Sequence, residues 1–100
     1  MKQTNNIISV VYICGNTFTN QDGMLLRDAM ATSLDAHDVV VIDFHGISSI
    51  STSFINSSFG DIADQLGIDA LRRRVKLVNY TSTIMSSIRK YVDALAFDFV

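Results

Sequence analysis

The stretch from Val39 to Phe54 constrains this chain most. Val39-Val40-Val41-Ile42 is an apolar β-branched run too short for a helix, Asp43 ends it, and a serine-rich turn leads into an amphipathic segment. β-branched side chains pack well on a pleated surface and are crowded on a helix, so the run predicts a central strand covered on both faces. The junction that follows lies at the strand's carboxyl end, where open α/β sheets carry their working residues.

The rest of the chain reads as support for that junction. Ile7 to Ile13 is nearly continuous in hydrophobicity and predicts a first strand, ended by Gly15-Asn16. Asn20 or Asp22 is placed to cap a following helix, with Leu25, Leu26, Ala29 and Met30 on its apolar side and Arg27, Asp28, Ala31 and Asp35 opposite. After the serine turn, Ile55, Phe59, Ile62, Ala63 and Leu66 line one face of a second helix, and Asn56, Ser57, Gly60, Asp61 and Asp64 the other, with Gly67 as its stop. Ile68 to Arg74 crosses back to a third strand, Val75-Lys76-Leu77-Val78-Asn79. Thr81 or Ser82 then caps a third helix whose stripe is Ile84, Met85, Ile88, Tyr91, Val92 and Leu95. The order βαβαβα calls for a mainly parallel sheet with right-handed crossovers. One apolar stripe per helix packs the helices on one side of the sheet. No linker or repeat interrupts the chain, so residues 1–100 are read as one small α/β domain.

Charge and composition narrow the function. The net charge of −2 argues against a nucleic-acid binder, which needs a surplus of Lys and Arg. Residues 1–71 carry two basic groups against eight Asp, whereas residues 72–100 carry six against two, a dipolar surface able to steer a protein partner. No run approaches the roughly 20 apolar residues of a membrane span, and no apolar region follows Lys2 as in a signal peptide, which predicts a cytoplasmic protein without a membrane partner. Cys14, with only His37 and His45 for company, matches no metal-ligand spacing and reads as a buried, inert thiol. No cofactor or metal is expected, since the chain has neither a phosphate loop nor a G-x-G-x-x-G motif.

The turn itself holds Ser48, Ser49, Ser51, Thr52 and Ser53 at the start of a helix. Ser51 or Thr52 can accept a hydrogen bond from an unpaired first-turn amide, worth about 1 kcal/mol, but capping does not need five hydroxyls. A phosphoryl group there would face free N–H groups and the positive end of the helix dipole, so the fold would tolerate it while an apolar or acidic partner would be repelled. Asp43, His45 and the serines also suggest a hydrolase triad, but no G-x-S-x-G elbow accompanies them. Arg72-Arg73-Arg74 reads as a solvated edge with one stem packed on a neighbour. Phe97, Phe99 and Val100 read as an edge strand, a subunit-docking tail or a frayed end.

Val40-Val41-Ile42-Asp43-Phe44-His45-Gly46-Ile47, then Ile50-Ser51-Thr52-Ser53-Phe54, a helix ending at Gly67 and the strand from Val75, together resemble the STAS domain of bacterial anti-sigma factor antagonists. The likeness is closer still to compact STAS-like domains of unannotated function, and it covers Ile7 to about Leu95. The resemblance implies a Ser at the helix start phosphorylated by a partner that is both kinase and anti-sigma factor. Register puts Ser53 at that position, with Thr52 and Ser51 as the other candidates. Antagonists commonly carry Asp where this chain has Ser51, and Gly where it has Phe54.

The reading that follows is a non-enzymatic regulatory interaction module. Its phosphorylation candidates are Ser53, Thr52 and Ser51, its partner-contacting residues are Ser48, Ser49, Phe54, Ser57 and Ser58, and its partner is an anti-sigma factor or histidine-kinase-like ATPase. Two alternatives use the same fold: a self-associating subunit without phosphorylation, through a helix face or the C-terminal tail, and an anion- or small-ligand-binding domain at the same helix start.

Overall fold

The computed structural model of the chain describes the backbone of residues 3–98 and the side chains of residues 6–93. Three parallel strands, β1 (Gln3–Ser9), β2 (His37–Asp43) and β3 (Val75–Val78), form one sheet in the order β1-β2-β3. Ile8 pairs with Ile42 and Ile42 with Leu77; Asp43 pairs with Ser9 on one side and Val78 on the other. Between the strands run α1 (Val10–Ile13), α2 (Asn20–Ala36), α3 (Thr52–Ile55), a π-helical turn (Asn56–Gly60), α4 (Asp61–Leu66) and α5 (Ile68–Arg74); α6 (Ser82–Asp98) follows β3. The α3, π-turn and α4 segments join end to end as one helix over residues 52–66.

Sequential parallel strands with right-handed crossovers place successive helices on the same side of the sheet. The alternation in β2 agrees: Val40 and Ile42 are fully buried, whereas Val39, Val41 and Asp43 on the opposite face are only half-buried. The β-branched run of β2 is therefore covered on one face, not on both. The parallel sheet and one-sided helices are as expected, but the strand limits differ. Ile7 to Ile13 is not one strand: β1 starts in the polar segment at Gln3 and the chain turns helical at Val10, where Cys14 N–H donates to the Val10 carbonyl at 2.8 Å. That turn buries Val10 and leaves Val11, Tyr12 and Ile13 outside, which a strand's strict alternation could not do.

The helices differ from expectation in their faces and caps. Thr19, rather than Asn20 or Asp22, caps α2; its hydroxyl accepts from Asp22 N–H at 3.1 Å and donates to the Asp22 carboxylate at 2.7 Å. The buried stripe of α2 is Gly23, Leu26, Met30, Ser33 and Leu34, and Leu25 is turned out. The crossing back to β3 is a helix, α5, and its last residue closes the end of α2. Arg74 donates to the carbonyls of Leu34, His37 and Asp38 at 2.7–3.0 Å, a cation on the negative end of a helix dipole. Arg73 is exposed, and Arg72 sits 3.9 Å from Asp93. Cys14 is buried, its thiol pushed up to about 11 by desolvation and then by nearby Asp22, so it is protonated and unreactive at neutral pH. The backbone of Phe97 belongs to α6 and not to an edge strand, and Phe99 and Val100 lie outside the described residues.

The middle of the 52–66 helix, from Phe54 to Ala63, is buried on most sides. Phe54, Ile55, Phe59, Ile62 and Ala63 join the core, and Ser57, Ser58 and Gly60, expected to face solvent at least in part, are buried too, while Leu66 is exposed. It lies against α2 so closely that a β-carbon on Gly23 would stand 2.6 Å from the Phe54 carbonyl oxygen and 2.8 Å from Ser57 Cβ. A Gly23→Ala substitution should therefore destabilise the protein by about 1–3 kcal/mol through overpacking, against the roughly 1 kcal/mol that alanine gains as a helix former. Urea unfolding reads this as a lower midpoint at unchanged slope; a higher midpoint would contradict the close approach.

Candidate functional site

Parallel pairing brings the carboxyl ends of β1 and β2 side by side, and the loops that leave them, residues 14–19 and 44–51, meet above the sheet. The second loop is built by local geometry. Asp43 accepts the His45 backbone N–H at 2.9 Å, and Ile47 N–H closes a turn onto the Phe44 carbonyl at 2.9 Å, with Gly46 at φ +86° in the position that demands a left-handed residue. Asn79 donates to the same Asp43 carboxylate at 2.9 Å. These two bonds, the Asn79 one first, hold the Asp43 carboxyl below the usual range. The stability they add is present above that range and lost as pH falls through the lowered pKa.

The two loops are clasped by a buried threonine that the sequence reading did not single out. Thr17 Oγ1 donates to the Ser49 carbonyl at 2.8 Å, and the Thr17 carbonyl accepts Ser51 N–H at 3.0 Å. On the other side Thr81 Oγ1 donates to the Ser48 carbonyl at 2.7 Å and accepts Ile84 N–H at 3.1 Å, so the residue that caps α6 also ties it to the serine loop. A shallow groove of about 350 Å³ runs between the loops, lined by Asn16, Phe18, Ile47, Ser48 and their neighbours, and Phe18 is 57% exposed at its edge. The signal that could have found Thr17 and Phe18 is topological: in a parallel sheet, the loops after adjacent strands emerge at one end.

The hydroxyls divide sharply by role. Ser51 is the cap of the 52–66 helix, its Oγ accepting Phe54 N–H at 3.1 Å. Ser57 and Ser58 face inward. Ser57 Oγ shares its proton between Asn20 Oδ1 and the Ser53 carbonyl, each at 2.8 Å, and Ser58 Oγ donates to the Phe54 carbonyl at 2.6 Å. They satisfy carbonyls that the π-turn displaces from the regular ladder. Phe54 is fully buried. Phe54, Ser57 and Ser58 are therefore interior residues and not a surface that a partner touches, because one face of this helix start carries the bond to α2. Ser48, Thr52 and Ser53 are exposed and Ser49 is half-buried. The side-chain hydroxyls of Thr52 and Ser53 have no protein partner among the described residues.

Thr52 and Ser53 look in different directions. Thr52 borders a groove with Ile55, Ser87, Lys90 and Tyr91 on the α6 side. Ser53 lies one turn before Ser57, which bonds Asn20 in the first turn of α2, so Ser53 stands beside the N-termini of two helices. Among the described residues no group of three metal-ligating side chains converges, and Asp43 bonds neither the His45 ring nor a serine, which leaves the triad reading without its geometry. No described helix is long and apolar enough to cross a membrane.

Replacing Ser51 by Ala should cost about 1 kcal/mol and by Asp only a few tenths, since either oxygen can cap, whereas Thr52→Ala and Ser53→Ala should stay within about 0.5 kcal/mol of the parent in urea unfolding. Equal losses at all three positions would contradict this division between cap and free hydroxyls.

No curated protein and no solved structure matches the chain. A family model described as a STAS-like domain of unknown function (DUF4325) matches residues 22–85, a span from the first turn of α2 through the serine loop, the 52–66 helix and β3 into α6. The match is shorter than the similarity from Ile7 to Leu95 read in the sequence, and it contains all the serines and threonines of the site except Thr17. With the parallel three-stranded sheet and its helices, that match places this chain in the family of STAS-like domains of unknown function.

Proposed function

We propose that the protein is a non-catalytic interaction module whose contact surface is the rim formed by Phe18, Ile47, Ser48, Thr52 and Ser53, and that phosphorylation of Ser53 switches it. The observation that carries the reading is the placement of Ser53: an exposed, unbonded hydroxyl on the first turn of a rigidly packed helix, beside the start of a second one. A phosphoryl group there meets two positive dipole ends, so the fold accepts it, while two added negative charges change what can dock on the rim. Ser51 caps the helix at the position where the antagonists this chain resembles commonly carry Asp, and Ser and Asp are both good caps, so the absence of Asp does not disturb the helix start. The family likeness supports a kinase-like ATPase as the partner.

Incubating the purified chain with native-host extract and labelled ATP, followed by peptide mapping, tests the switch. Label is expected on the parent and on Ser51→Ala, and lost in Ser53→Ala. Label retained by Ser53→Ala, or absent from the parent, would overturn it. Ser53→Asp, with a charge at the helix start, should fold at least as stably as the parent, by about 0.3–1 kcal/mol.

A further inference from the structure

Parallel sheets are almost always covered on both faces and protected at their edges, whereas among the described residues this one leaves one face and one edge open. Its open face shows Ile7 at 67% and Val78 at 37% exposure. Its two edges differ in kind. β3 is four residues long, carries Lys76 and is flanked by Arg72 and Arg89 along a cleft of about 270 Å³, the charged, short edge that resists pairing. β1 is seven residues long without a proline or a charge.

The neutrality extends well beyond the strand. Residues 3–21, which include β1, α1 and the loop after it, contain no Asp, Glu, Lys, Arg or His. Beside the outer edge of β1, a groove holds Ile7, Tyr12, Ile13, Asp28, Ala29 and Thr32, with Tyr12 90% and Ile13 39% exposed. The one charged group in it, Asp28, is paired with Arg27 at 3.0 Å. Across a two-fold axis every residue near the axis meets its own copy, so a charge there would face itself, and an uncharged edge is what such an interface requires.

We infer that two copies of this chain associate through β1, antiparallel across a two-fold axis perpendicular to the sheet, with Ile7 of each copy beside the axis and Tyr12 and Ile13 of each copy against the start of the partner's strand. The pairing makes one six-stranded sheet, satisfies the outward N–H and C=O groups of both edges, and keeps the helices of both copies on one side. The candidate site lies on the loops and the helix start beyond the strand ends, and the association does not depend on its phosphorylation.

Light scattering of the full chain across a dilution series is the test. The parent should show the mass of two chains, dissociating on dilution. Ile7→Lys and Tyr12→Lys, both at exposed positions, should each raise the dissociation constant about tenfold or more with an unchanged circular dichroism spectrum, the first because it places two like charges beside the axis, the second because it replaces an apolar contact at each end of the interface by a charge. Val78→Lys, on the open face at the opposite edge, should leave the dimer intact. A parent that is monomeric throughout, that forms open-ended larger assemblies, or whose dimer survives both lysine substitutions would overturn the inference. If Ile7→Lys perturbs the strand, the Tyr12 variant, outside the strand and almost fully exposed, decides the matter alone.

Discussion

The contact of α2 with the 52–66 helix at Gly23 is the constraint from which the rest of the structure follows. A backbone-to-backbone approach that leaves no room for a β-carbon brings two helix starts together over the carboxyl ends of β1 and β2. At that distance the polar groups between the helices must find partners within the contact, because water cannot reach them. Ser57 and Ser58 do this with their own helix's carbonyls and with Asn20, and Arg27 adds an ion pair to Asp61 at 3.1 Å further along. The π-turn over Asn56–Gly60 accommodates the displaced ladder. The outcome is a helix whose first turn is fixed in place while two of its hydroxyls remain free.

That division explains why a serine-rich segment contains so few candidates for regulation. Of the hydroxyls between Ser48 and Ser58, one caps the helix and two close the contact with α2. Ser48 and Ser49 lie in a loop held through their carbonyls by Thr81 and Thr17. Thr52 and Ser53 are left on the helix itself, and only Ser53 stands beside the second helix start. A rigid base matters for a switch of this kind, since an added charge alters the docking surface by a defined amount only if the residue that carries it does not move away.

The fold class was legible because β2 is a short β-branched run and the helices have separate apolar stripes, and the parallel order follows from the βαβ pattern. The strand limits were not. Ile7 to Ile13 has the composition of a strand, yet the chain coils at Val10 to bury one valine and expose the next three residues, a tertiary effect that hydrophobicity cannot report. Arg72-Arg73-Arg74 looked like an edge because the sequence gives no sign that the end of α2 lies beside it. At the site, Ser51, Thr52 and Ser53 were placed at the helix start by the motif, but Phe54, Ser57 and Ser58 were assigned to the surface because a close approach at Gly23, 31 residues away from Phe54, leaves no local trace. Thr17 escaped notice because its role exists only once two loops meet.

Amide hydrogen exchange tests most directly the claim that the first turn of the 52–66 helix is a fixed base. Phe54, Ile55 and Phe59 amides should exchange only through global unfolding, at the same free energy as Leu26 and Met30 of α2, while His45 and Ser48 exchange through local fluctuations. If the amides of residues 54–59 open at a free energy well below that of α2, the helix is not clamped at Gly23, and Ser53 is not held where the switch requires it.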